Sequence, residues 1–286
     1  MQNQTSGGNT EIVRNQLSKN EEAKKSNIAI TPDCGMGPGM NITLSLLVME
    51  QFDEPHTINI YDCGLPQKPK APWNYNLFFN INGLTNEYDG CATFIRNSKL
   101  TDVECFEDIE ILEFDNYGKL EAAVTSGGLS TMPWTFKNTL KTLENKTLRY
   151  MGHWSDMIAY RRLGLFENKE INFNNGKIIP RDFYHHLLEP KLNEENVKDV
   201  CLMRILGSGI KNNKNKNIQL DAIELFDDRT GFTAMEKWTG WHASIVGIYI
   251  TKNNISGAVP VEKIMSGSNF LLEAQKRDFN ITIKEI

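Results

Sequence analysis

Long apolar runs are missing from this sequence. The best candidate, residues 243–250, falls far short of the ~18 residues that a membrane helix needs, so a membrane partner or span is not expected. The opening stretch MQNQTSGGNTEIVRNQLSKNEEAKKSN has no apolar segment of the kind a secretory leader carries. Positive charge is not in excess either. With 31 Lys and Arg against 36 Asp and Glu, the formal net charge is −5, which gives no reason to expect nucleic acid. Cysteine is sparse and odd in number: Cys34, Cys63, Cys91, Cys105 and Cys201 are scattered without a C-x-x-C. That excludes a disulfide framework and a structural zinc site, and it suits reduced thiols in the cytoplasm. H-E-x-x-H, G-x-S-x-G and P-loop patterns are absent, and no metal site is expected.

What remains is an ordinary globular composition, 40% hydrophobic and 9% aromatic over 286 residues, enough for one large domain or two modest ones. The stretch NIAITPDCGMGPGMNITLSLLVME organises the chain. Residues 28–31 predict a short buried strand ended by Pro32, 33–39 a glycine-dense turn, and 40–50 a helix with Met40, Leu44, Leu47 and Val48 on one face. A strand feeding a helix through glycines is where open α/β sheets bind ligands. Gly35 and Gly37, followed by a strand ending in the acid Asp62, invite comparison with a dinucleotide fingerprint, but position 40 is Met, Pro38 interrupts the turn, and Asp33 would face the pyrophosphate. A tight structural turn and an unusual ligand-facing loop both stay open. Before this stretch, a helix capped by Thr10 and running to about residue 25 gives the chain a mid-domain start.

Further strands are predicted at 57–61, 74–81, 91–96, 100–106, 109–114, 120–124 and 147–151, with 64–73 irregular because of its prolines and 83–90 a polar connection. A hairpin turn at 97–99 and a long hairpin, 200–207 with 218–226 around the solvated loop 211–217, make the sheet largely antiparallel. Helices are expected at about 130–143, 154–163 with Gly164 as the stop, 181–188, 233–252 interrupted at Thr239-Gly240, and 261–277. The fold class is therefore α/β (α+β): a mixed, largely antiparallel sheet with covering helices.

Three places could carry chemistry. TLRYMGHW gathers Arg149, Tyr150, His153 and Trp154 at a strand-to-helix junction. Arginine can grip a carboxylate with paired hydrogen bonds, and histidine can move a proton near neutrality. The plainer alternative pairs Arg149 with an edge carboxylate and makes His153 a helix cap. TSGGLS, with Gly127 and Gly128, is a second glycine loop ahead of a helix, or simply a tight turn. Thr239 and Gly240 in WTGWH would admit a backbone or flat ring, or merely a packed helix. His185 and His186 diverge on a helix and read as surface.

The blocks PDCGMGPGMN, GLPQKPKAPWNY, TSGGLSTMPWT, KTLRYMGHW, WTGWHASI and GAVPVEKI, in this order and spanning almost the whole chain from Gly7, resemble the saccharopine dehydrogenase family, most of all its lysine 6-dehydrogenase-like branch. The resemblance implies an NAD(P)-dependent oxidoreductase acting on C–N bonds of amino acids, with an N-terminal Rossmann domain and a second domain for substrate and homodimerisation. The family's G-x-G-x-x-G unit has no counterpart here; roughly a hundred residues, about one nucleotide-binding domain, have no match.

The implied division is 1–53 as the remnant of a Rossmann domain, 54–252 as substrate and dimerisation domain, and 253–286 returning to the nucleotide side. Implied roles are Asp33 and His153 as catalytic candidates and Arg149, Tyr150, Gly127 and Gly128 as substrate-binding. Asp33, Gly35, Gly37, Gly39, Thr239 and Gly240 would meet NAD or NADP. A Rossmann-domain chain supplied separately is a further implied partner. The competing expectation is a non-catalytic dimerising or amino-acid-binding remnant.

Overall fold

The computed structural model describes residues 10–174 and 176–286; Gly7–Asn9 of the block matched above lie outside them. Nine strands form one sheet in the order Asn280–Glu285, Lys214–Leu225, Asp199–Lys211, Glu54–Pro66, Thr142–Tyr150, Cys91–Arg96, Lys99–Glu104. The hairpin Glu110–Phe114/Gly118–Val124 joins through Thr142–Tyr150. Only Glu54–Pro66 and Thr142–Tyr150 pair in parallel; the other pairings in this sheet are antiparallel. The expected mixed, mostly antiparallel sheet is what the chain builds. No helix among the described residues is long and apolar enough to cross a membrane.

Helices cover both faces. On one, Met40–Met49, Ala234–Lys252 and Gly267–Gln275 pack Met40, Ile42, Val48, Trp238, Ile245 and Phe270 over Ile58, Ile60, Leu143 and Ile205. On the other, Ile81–Glu87, His153–Arg162 and Pro180–Leu192 pack Leu84, Trp154, Met157 and Leu188 against Tyr61, Leu65, Leu148 and Leu202. Helix Met40–Met49 is buried on all sides rather than on one face, Asn41, Thr43 and Ser45 included. Gly267 makes that possible: a Cβ there would stand 2.1 Å from Leu47 N, so this helix start crosses the buried helix at backbone contact.

Several expectations need correction. Residues 74–80 are irregular, and Ile81–Glu87 is a helix where a polar connection was expected; the Asn80 side chain caps it by accepting from Asn82 N at 2.8 Å. The helix expected at 130–143 is only Met132–Phe136, because Lys141 N already bonds His56 O and the strand starts at Thr142. Loop 211–217 shrinks to Asn212-Asn213, both at positive φ, with ladder pairing up to Lys211↔Lys214. Ala234–Lys252 runs through Thr239-Gly240 unbroken. Residues 261–277 split into a short 3₁₀ turn and a helix capped by Ser266, and 280–285 form an unforeseen edge strand. The N-terminal helix is two, Thr10–Leu17 and Asn20–Lys25. The strand expected at 28–31 is two half-buried residues, Ala29–Ile30, paired in parallel with Gly257–Ala258. A small hairpin, Ile171–Phe173 with Gly176–Ile178, was also unforeseen. His185 is buried and hydrogen-bonded to Thr85 Oγ1 at 2.7 Å, whereas His186 is exposed.

Candidate functional site

The parallel strand pair sets the site. In its register Ile58 lies beside Leu143, Ile60 beside Asn145 and Asp62 beside Thr147. Alternate residues share a face, so one face changes from Ile58, Ile60 and Leu143 to Asp62, Asn145, Thr147 and Arg149 towards the strands' carboxyl ends. A buried apolar face that turns polar at that edge marks where such sheets receive ligands.

Arg149 is 2% exposed. Its Nε donates to Tyr88 Oη at 2.9 Å and Nη1 to Leu148 O at 3.0 Å, and the guanidinium lies 4.7 Å from the Tyr75 ring centre. It makes no ion pair among the described residues, so the edge-carboxylate alternative fails. His153 sits behind it. Its Nε2 shares a 2.9 Å hydrogen bond with Tyr88 Oη, while Nδ1 faces the Trp73 backbone without a well-formed bond. Burial and the neighbouring Arg149 charge push its pKa well down, so the ring is neutral and orients Tyr88. Gly152, not His153, holds the N-cap position of the helix. Tyr150 lies on the opposite strand face and donates to Pro66 O at 3.0 Å.

Two acids missed by the sequence reading flank this cation. Asp62, 5% exposed, is pushed up to about 6 by burial, although Asn145 (3.3 Å), Asn41 (3.1 Å) and the Arg149 charge favour its ionised form. Burial likewise pushes Glu87 up to about 7, with Arg149 opposing and Asp62 adding to the rise. Glu87 is closely packed yet half-buried, so it keeps some solvent access. Groups poised near neutrality beside a fixed cation can exchange protons with a bound ligand. The one sequence signal for Asp62 was an acid at the end of an apolar strand; Glu87 gave none.

Both glycine loops close on Asp62. Asn41 Nδ2 donates to Gly128 O at 2.9 Å as well as to Asp62. A Cβ at Gly37 would lie 2.9 Å from Asp62 Oδ2, and one at Gly128 would lie 1.9 Å from Asn145 Oδ1. Gly39, at φ 140°, folds back on Gly35 O and N. Gly127 turns at φ 87°, beside the Ser126 that bonds Glu87 O and Asn86 O. Asp33 is half-buried on the same loop, where burial raises its pKa, Ser130 lowers it by hydrogen bonding and Glu262 raises it. Thr239 approaches Gly35, its methyl 3.8 Å from the Cβ position, while Gly240 faces open space. His242 anchors the loop through Cys34 O (2.9 Å) and Thr43 Oγ1 (3.0 Å).

The expected site residues thus divide. Arg149 and the loop of Gly127 and Gly128 meet around Asp62 with Gly37 and Gly39, His153 joins them only through Tyr88, and Tyr150 and Gly240 lie elsewhere. The loop does not fit the phosphates of a dinucleotide. At the helix start two N–H groups are taken, Gly39 by Asn41 Oδ1 and Met40 by Gly35 O, and the Asp62 carboxylate, which would repel a phosphate, lies against the loop. No cluster of three His, Cys, Asp or Glu among the described residues is placed to hold a metal.

A family model described as the saccharopine dehydrogenase C-terminal domain matches residues 35–277. In fold the chain is similar to the apo, histidine-tagged saccharopine dehydrogenase (L-Glu forming) from Saccharomyces cerevisiae, with a TM-score of 0.75 and 14% identity. The match covers 94% of this chain and 76% of that one, and at this identity it is a likeness of fold.

Proposed function

The chain belongs to the saccharopine dehydrogenase C-terminal domain family, and we propose that it is the amino-acid-binding part of an oxidoreductase acting on the CH–NH group of an amino acid. The observation that carries this reading is the buried Arg149, a permanent cation with no carboxylate partner among the described residues. A buried charge without a direct ion-pair partner is costly, and a ligand carboxylate supplies one by two parallel hydrogen bonds. Tyr75, Tyr88 and His153 hold the guanidinium in place for it.

In this reading Asp62 and Glu87 take and return the proton that an ammonium group must lose before its nitrogen can be oxidised. Their positions near neutrality suit that task. NAD(P) would serve as electron acceptor in such a reaction. Since the glycine loop does not fit the coenzyme's phosphates, no step is derived through it, and we assign its binding to a Rossmann unit outside the described residues, on this polypeptide or on a separate chain. Homodimerisation and a lysine-like substrate belong to the same proposal.

The test is calorimetric titration with L-amino acids and with the matched amines that lack the carboxylate. A desolvated carboxylate–guanidinium contact worth about 3 kcal/mol predicts roughly 100-fold weaker binding of the amines. Equal affinities would remove Arg149 from the proposal. Amino-acid binding without turnover, when NAD(P) and a Rossmann unit are supplied, would favour a non-catalytic binding module.

A further inference from the structure

Outside the cluster around Arg149, two carboxylates hang from one turn. Thr131 Oγ1 donates to Glu262 Oε1 at 2.8 Å, and Thr135 Oγ1 donates to the same oxygen at 2.6 Å. Ser130, the residue before Thr131, hydrogen-bonds Asp33, whose carboxyl also feels the charge of Glu262. The second oxygen of each acid is left over: Glu262 Oε2 and Asp33 Oδ2 are both buried without a hydrogen-bond partner, and so is Thr31 Oγ1 on the same loop as Asp33. Glu262 is 6% exposed, and its unpaired oxygen is itself buried. Neither acid forms an ion pair with Lys or Arg among the described residues. Buried polar atoms are rarely left unpaired, and two carboxylate oxygens in one acidic corner, with a third orphan two residues from Asp33, call for a donor of positive charge.

We propose that Asp33 and Glu262, with Thr31, form a binding site for a primary ammonium group. An ammonium carries three N–H donors, matching three orphaned acceptors. A divalent cation asks for about six or more oxygens and is under-supplied here. A guanidinium needs a planar, forked set of acceptors, whereas these come from three separate side chains. Asp33 keeps partial exposure, which leaves the site a way in from solvent. The ammonium is either a free small amine or the amino group of a larger ligand; the chemistry is the same.

The site is tested on the full chain by calorimetric titration with methylammonium chloride against tetramethylammonium chloride at fixed ionic strength. Saturable binding of methylammonium at one site is expected, with none for tetramethylammonium, which has no N–H. Glu262→Gln and Asp33→Asn are each expected to weaken methylammonium at least tenfold. Asparagine tolerates the φ of 56° at position 33, so that variant carries no backbone penalty. No saturable binding, equal binding of the two cations, or unchanged affinity in both variants would overturn the proposal. Should a variant fail to fold, the comparison of the two cations on the wild-type chain decides alone. Arg149→Met is expected to keep methylammonium binding, so this site and the Arg149 reading fail separately. Competition between methylammonium and an amino acid assigns the site to the amine of that ligand; independence assigns it to a free amine.

Discussion

Gly128→Ala is a small change with a large predicted effect. The backbone at Gly128 is not left-handed, so alanine brings no conformational strain, and the whole effect must come from the added methyl. That methyl would stand 1.9 Å from Asn145 Oδ1 and 2.9 Å from its Cγ. Asn145 is 2% exposed and donates to Asp62 Oδ2, so it cannot move without releasing that contact. Overpacking of this kind costs about 1–3 kcal/mol, and a lost hydrogen bond to a buried carboxylate about 1.5 kcal/mol more, giving roughly 3 kcal/mol in total. Urea unfolding measures the loss, and carboxyl-carbon NMR should show Asp62 titrating above its wild-type value of about 6. On an Asn145→Ala background the same substitution meets no amide and should cost less than ~1 kcal/mol. Stability within about 0.5 kcal/mol of wild type, or an equal cost in both backgrounds, would refute the reasoning.

Three further outcomes follow from the same geometry. Asp62 binds its proton more tightly folded (about 6) than at the ordinary 3.8, so its contribution to stability is lost as pH rises through that window. Asp62→Asn should therefore gain on wild type by roughly 3 kcal/mol between about pH 4 and 6, and a pH-independent difference in unfolding free energy would contradict this. His242 has the opposite sign: its folded pKa, held down to about 4 by burial, lies below the ordinary 6.5, so stability is lost as pH falls between them. His242→Gln should flatten that limb, while His242→Leu, which strips Thr43 and the Cys34 carbonyl of a partner, should cost about 1–3 kcal/mol in thermal unfolding. Titration of the chain alone with NAD(H) and NADP(H) should show no tight binding; submicromolar affinity would mean that the coenzyme site has been misplaced.

The sequence was most legible where local chemistry and tertiary structure agree. The long hairpin follows from alternation on both sides of an asparagine pair that accepts positive φ, and the helix after the glycines from the helical spacing of Met40, Leu44, Leu47 and Val48. It misled where short apolar segments suit either period. Ile81 and Leu84 read as part of a strand and its connection until the Asn80 cap is seen. Arg149 was legible as an arginine at a strand-to-helix junction, but its isolation from carboxylates was not, since an absent partner leaves no local trace. Asp62 and Glu87 were invisible as poised acids because their environment comes from distant sequence: Asp62 meets Asn41 across 21 residues and Asn145 across 83. Asp33 stood out beside the glycines, whereas its companion Glu262 lies near the far end of the chain and carried no signal.

The most direct measurement is the preference of Arg149→Met for an L-amino acid over its carboxylate-free amine, set against the same preference in the wild-type chain. Binding through the buried guanidinium predicts that the roughly 100-fold preference collapses to near unity while affinity for the amine is almost unchanged. A preference that survives the loss of Arg149 would place the ligand's carboxylate elsewhere and contradict the account.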